Sequence, residues 1–166
     1  MRIPSRAEVD AFCGSPTTLW QRVLGILSPA LLIGSILFIL IRFPSLPERI
    51  PMHYNFAGEI DGYGSRLMLL IMPVIGLVMD GSIVLAGRFP KSWNTGVKIT
   101  LYNRVRVYRL VRDLLAELRL CLAIFFAGFA VYQSLLPEHF SGSVIGVLTL
   151  FSLVPIVRYF VRLGRR

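Results

Sequence analysis

Four apolar stretches, each close to the length that crosses a bilayer core of about 30 Å, dictate what this chain can become. They fall at residues 23–43, 67–86, 120–136 and 143–163. Hydrocarbon offers no water to backbone N–H and C=O groups, so a spanning segment bonds them internally, as a helix does. The expected fold class is therefore an all-α membrane protein with four transmembrane helices. Of its residues 55% are hydrophobic and 16% charged, where a soluble domain carries about a quarter charged residues. The length suits one membrane domain, residues 23–166, after an N-terminal segment 1–22. The first apolar run starts late and is long, which reads as a span rather than a signal peptide.

Charge assigns the sides. The net charge is +9. In a membrane protein such an excess reads as arginines gathered at the cytoplasmic face, so nucleic acid is not an expected partner. Arg2, Arg6 and Arg22 precede the first span, and eight Lys or Arg residues from Arg88 to Arg119 lie between the second and third. Segment 44–66 holds only Arg49 and Arg66, and segment 137–142 holds none. The expectation is a multi-pass protein of the cell membrane, both termini cytoplasmic, with 44–66 and 137–142 outside. Near the N-terminus, Ser5 and Glu8 fit a capping box opening a short helix, Arg6 to Cys13, that stops at Gly14. Cys13 and Cys121 show no metal spacing and no disulfide framework.

Between the second and third spans the pattern turns helical. Leu101, Val105, Tyr108, Val111, Leu115 and Leu118 recur every three or four residues. Arg104, Arg106, Arg109 and Arg112 fill the opposite face, with Asp113, Glu117 and Arg119 beyond. The spacing predicts an inner amphipathic helix over 101–119, capped by Thr100, with its arginines on anionic lipid headgroups. The alternative is a helical extension of the third span packed on the protein itself. Val97-Lys98-Ile99 alternates and predicts a short extended piece.

Segment 44–66 is the outlier. Pro44, Pro47 and Pro51 forbid a continuous helix, and Gly58, Gly62 and Gly64 permit tight turns. Among them sit His53, Asn55, Glu59, Asp61 and Ser65. The segment predicts a structured outer loop that binds a ligand or shapes itself. A divalent metal is one candidate occupant, with His53, Asp61 and His139 as ligands, since imidazole and carboxylate both coordinate such ions. In the competing reading His53 and Asn55 bond the loop's own backbone, and Ser65 caps the second span. No resident cofactor is otherwise expected.

Two further positions stand out. Asp80 lies inside the second span, where carboxylates are costly and draw attention as functional candidates. Its expected partner is Arg88, another basic residue near the inner surface, Ser82 or a neighbouring helix. Glu138 and His139 either solvate a tight outer turn or join His53 and Asp61 in one polar cluster.

The run Leu46-Pro-Glu-Arg-Ile-Pro-Met-His-Tyr-Asn-Phe-Ala-Gly-Glu-Ile-Asp-Gly-Tyr-Gly-Ser65 resembles the signature of a bacterial membrane domain of unknown function. That domain also precedes the membrane domain of SdpI-type immunity proteins, which protect producing cells from a secreted peptide toxin. Val97-Lys-Ile-Thr-x-x-Asn103 and Tyr108-Arg-Leu-Val-Arg-Asp-Leu-Leu115 look like the same family, where a basic amphipathic helix leads into the third span. The resemblance covers residues 23–136 and implies a helical multi-pass fold. The leading functional reading is a non-enzymatic membrane protein whose outer loop binds or senses an extracytoplasmic peptide or envelope component, and the resemblance adds a relation to toxin-immunity proteins. Two alternatives stay open: a metal-dependent membrane enzyme using His53, Asn55, Asp61 and His139, and a transporter accessory subunit centred on Asp80. Oligomeric state is not legible.

Overall fold

The computed structural model describes residues 17–139 and 141–164. The Ser5–Glu8 capping box and the helix expected over residues 6–13 lie outside the described residues. Four helices are long and apolar enough to cross a membrane: α1 (Leu19–Arg42), α2 (Ile71–Gly87), α3 (Arg104–Ser134) and α4 (Gly142–Gly164). Between α1 and α2 stands an antiparallel hairpin, β1 (Arg49–Tyr54) and β2 (Ile60–Ser65). Short 3-10 turns at Phe43–Ser45 and Arg66–Leu70 join it to the helices.

Helix α1 starts earlier than its apolar run. Thr18 Oγ1 accepts from Gln21 N, and Gln21 Oε1 accepts from Thr18 N, which completes a capping box. Its buried residues, Gln21, Leu24, Ser28, Leu32, Ser35 and Ile39, recur every three or four positions and form one stripe. Ser28 and Ser35 donate back to their own helix, at Leu24 O and Leu32 O, so neither hydroxyl is left unbonded inside the bundle. The opposite face is bare and apolar: Leu19, Ile26 and Ile41 are all largely exposed. Polar groups inside and large hydrophobic groups outside make sense only with lipid as the surrounding medium. This chain is an integral, multi-pass membrane protein.

Helix α3 is the central member and packs against each of the other three. Its buried small residues, Ala116, Ala123, Ala127, Ala130 and Ser134, let neighbouring backbones approach closely. Gly76 of α2 meets it there. A Cβ on Gly76 would lie 2.5 Å from Leu32 Cδ2 and 3.0 Å from Phe126 Cβ, so three helices converge on that hydrogen. Helix α4 leans chiefly on α3 and buries only Pro155 and Tyr159.

Of the two readings of residues 101–119, the structure takes the helical extension: the basic stretch and the third span are one 31-residue helix, α3. No proline interrupts residues 104–134, so nothing stops helix propagation between the two parts. At 1.5 Å per residue α3 is about 46 Å long, roughly 16 Å more than a hydrocarbon core. Its first turns turn Val107, Tyr108 and Val111 inward to the protein. Thr100 acts one turn early, trading bonds with Asn103 (Thr100 N to Oδ1, 2.8 Å; Asn103 N to Oγ1, 3.3 Å). One expectation needs correction: the fold is not purely α, because segment 49–65 pairs as a hairpin. Pro51 and the three glycines Gly58, Gly62 and Gly64 starve a helix but suit a bulged two-stranded ribbon whose outer edges need few N–H donors. Residues 97–99 belong to no helix and no strand.

Gly76→Ala should lower unfolding stability in detergent by about 1–3 kcal/mol through overpacking. Gly34→Ala, whose added Cβ meets nothing within 4 Å, is the matched control. Equal melting of the two variants would contradict the three-helix contact.

Candidate functional site

The hairpin turns at Asn55–Glu59. Asn55 Oδ1 accepts from Ala57 N at 2.9 Å and Glu59 N at 3.0 Å, while its Nδ2 donates to Glu59 Oε2 at 2.9 Å. Gly58 sits at φ +81°, a left-handed conformation that glycine adopts without strain. Together these bonds spend the Asn55 amide on the turn. Phe56 stands at the apex with its ring wholly in solvent, at 114% relative exposure. Beneath it, His53 Nδ1 lies 2.5 Å from Asp61 Oδ1 across the strands. Gly62 makes room, since a Cβ there would come within 2.9 Å of His53 Cβ. The His53 and Asp61 side chains are 75% and 41% exposed. A pair so open contributes about 0–1 kcal/mol to stability, so its chemistry is available to a ligand rather than spent on folding.

The hairpin is braced on three sides. Ile50, Leu46, Leu69, Ile39 and Ala130 form a buried cluster beneath it. Gln133 of α3, itself buried, donates to Pro51 O at 2.5 Å. Arg66 donates to Phe43 O and Leu46 O at 3.0 and 2.8 Å and stacks on the Phe43 ring at 4.4 Å, clamping entry to exit. Tyr54 donates to Pro137 O at 3.0 Å. That carbonyl follows Leu136, which is held at φ +56°, a costly angle for leucine, while its side chain packs on the buried cluster. Backbone bridging of Glu59 with His139 then brings the α3–α4 connection against the turn. Ser65 Oγ accepts from Leu67 N at the start of the turn leading into α2. Gly64 lies opposite Ile50 in the ladder. Among the described residues, no three of His, Cys, Asp and Glu converge as a metal-binding group.

A second polar centre sits near the other end. Arg119 of α3 donates to both Asp80 oxygens, from Nε to Oδ1 and from Nη2 to Oδ2, each at 2.8 Å. Its Nη2 also donates to Gly25 O of α1 at 3.1 Å. Pro29 explains that acceptor. With no N–H at 29, the carbonyl four residues earlier has no helical donor, and the guanidinium fills the gap. Gly25 allows the approach, since a Cβ there would lie 3.2 Å from Arg119 Nη1. Asp80 is thus paired with Arg119, not Arg88, and Ser82 donates instead to Val78 O. Of the partners expected for Asp80, the structure selects a basic residue on a neighbouring helix. A carboxylate so matched carries no spare charge for transport.

The arginines of α3 divide. Arg104 stacks on Tyr108 at 5.5 Å, and Arg106 donates to Arg162 O of α4 at 2.6 Å, so both engage protein. Arg109 and Arg112 also have partners. Asp113 accepts from Gln21 at 2.8 Å and faces Arg162 at 3.8 Å, while Glu117 faces Arg158 at 3.3 Å. Sequence reasoning overlooked Gln133, a lone amide within an apolar run, and the Pro29–Gly25 spacing that marks an unbonded carbonyl.

Two results follow. Asp80→Ala strands a buried guanidinium and should cost about 3–5 kcal/mol, whereas the double change Asp80→Leu with Arg119→Leu should cost less than either alone. Detergent unfolding of the four proteins checks this. Tyr54 is held above its ordinary value of 10.0, first by burial, against the lowering effect of its Gln133 hydrogen bond, and further by Tyr132 and Tyr63. Its stabilising contribution is intact below pH 10 and lost as pH rises through the raised value. A Tyr54→Phe variant should lack that alkaline step when melting is followed against pH.

Residues 30–77 match the family described as Domain of unknown function (DUF1648), a stretch running from α1 through the hairpin into α2. Over 68 residues the chain is 34% identical to an uncharacterized protein of Archaeoglobus fulgidus, covering 41% of this chain and 33% of that protein. The chain thus spans about a third of that relative's length. No solved structure matches.

Proposed function

We propose that this membrane protein binds or senses an extracytoplasmic ligand, a peptide or an envelope component, through the β1–β2 hairpin. Phe56 carries the reading. A protein gains nothing in stability from an aromatic ring held wholly in solvent at the apex of a braced turn, but an aromatic anchor is what a recognition surface uses. The exposed His53–Asp61 pair beside it adds a polar contact that a ligand can reach. Both termini are cytoplasmic in this reading, because lysines and arginines concentrate at the end away from the hairpin. Likeness to SdpI-type immunity proteins in the hairpin sequence makes a secreted membrane-active peptide the first ligand class to test. Arginines of the opposite end, Arg109 and Arg112 among them, face the anionic inner leaflet.

Other readings draw less support. A metal-dependent enzyme would need the Asn55 oxygen, and two backbone N–H groups already occupy it. A transporter subunit would need the charge of Asp80, which Arg119 neutralises.

In a chain carrying Cys13→Ser, Phe56→Cys should react with a membrane-impermeant maleimide in intact cells, and the same chain with Phe56 kept, whose Cys121 is buried, should not react at that rate. A photo-crosslinking analogue at Phe56 should then capture a peptide or envelope polymer. Labelling confined to permeabilised cells, or adducts to lipid alone, would defeat the proposal.

A further inference from the structure

Beneath the hairpin, β1, the Arg66–Leu70 turn, the start of α2 and the outer part of α3 enclose a cavity of about 240 Å³. Three of the chain's five methionines line it: Met52, Met68 and Met72. Met52 and Met72 also pack against the buried cluster that holds Ile50. Met68, in the turn, is partly open to the surroundings and gives the cavity an outlet. Gly64 of β2 lets two of the three meet. A Cβ there would lie 2.8 Å from Met52 Cγ and 2.8 Å from Met68 Sδ, so both side chains lie over a position that has no side chain of its own.

The donor set narrows the occupant. Among the described residues, no imidazole, thiol or carboxylate lines the cavity. Zinc takes nitrogen, thiolate or carboxylate ligands, and calcium and magnesium take several oxygens, so none of these ions suits it. Gln133, the polar side chain of the lining, spends its Nε2 on Pro51 O. Thioether sulfur is a soft, neutral donor that selects Cu(I). A single positive charge also costs less to hold among apolar groups than a double one. The ring of Phe129 adds an aromatic wall, and aromatic rings attract cations. Methionine elsewhere fills irregular gaps in cores. Leucine and isoleucine do that with better-defined shapes, and here β2 forgoes a side chain at the point where the methionines meet.

We infer that Met52, Met68 and Met72 form a thioether site for a soft monovalent cation, Cu(I). The site needs neither the Phe56 ring nor a peptide, so failure of ligand capture at Phe56 leaves it standing.

Calorimetric titration of the full, untagged chain in detergent provides the test, in a Cys13→Ser, Cys121→Ala background that removes both thiols. The probe is Cu(I), kept reduced by dilute acetonitrile under nitrogen. One equivalent should bind, and X-ray absorption at the copper edge should show sulfur neighbours without imidazole. Met68→Leu and Met72→Leu keep the volume of the lining, and each should weaken binding by about tenfold or more. Melting of each variant alongside its parent separates a lost ligand from a lost fold. Met79→Leu, on α2 outside the cavity, should leave binding unchanged. Absence of binding, a copper shell of nitrogen or oxygen alone, or equal weakening by Met79→Leu and Met68→Leu overturns the inference. Binding that both cavity variants leave intact also overturns it and returns the three methionines to packing.

Discussion

One guanidinium ties three membrane helices together. Arg119 satisfies a carboxylate on α2 and an orphaned carbonyl on α1 while standing on α3. Each of these groups alone would be expensive away from water. Asp80 would be an unpaired charge, Arg119 another, and the Gly25 carbonyl a vacant acceptor made by Pro29. Together they form a set in which every cost is met by a neighbour. The geometry also fixes register, because sliding any of the three helices by one turn, about 5.4 Å, would undo all the bonds together. Van der Waals contact between small residues holds the helices close, and the polar tie decides which residues meet.

The hairpin end applies the same economy with backbone groups. Carbonyls of the hairpin and of the turns beside it accept from side chains distant in sequence. Gln133 reaches Pro51 O, Arg66 reaches Phe43 O and Leu46 O, and Tyr54 reaches Pro137 O. Bracing of this kind leaves the turn itself free of stabilising duty. That division lets an open aromatic tip coexist with a firm base.

Much of this was legible before any coordinates. Apolar run length marked four helices, and their boundaries fell within a few residues of α2 and α4. Prolines and glycines marked segment 44–66 as non-helical, but strand pairing escaped notice because its alternation is broken by Pro51 and by bulges at His53. The unity of α3 was one of two open readings, because composition changes along the helix while conformation does not. Helix propagation depends on backbone geometry, and it crosses from an arginine-rich face to an apolar one without interruption. Asp80 was conspicuous, yet its partner lay 39 positions away, and local spacing carries no information about contacts between helices. Phe56 was invisible as a site, since a phenylalanine in a motif reads as core until its surroundings are known.

Helix α4 differs from its companions in leaning on one helix, α3, with Tyr159 donating besides to Thr95 O in the α2–α3 connection. Its grip is concentrated at one extremity, where Arg158 and Arg162 reach Glu117 and Asp113 and Arg106 holds Arg162 O. Along the rest of its length Val147, Leu150, Val154 and Val157 present a smooth oily flank. Such a helix is a leaf hung from its lower corner. When the bundle loosens, the first seam to open is the one between α3 and α4, and the three-helix body with its knotted arginine outlasts the loss.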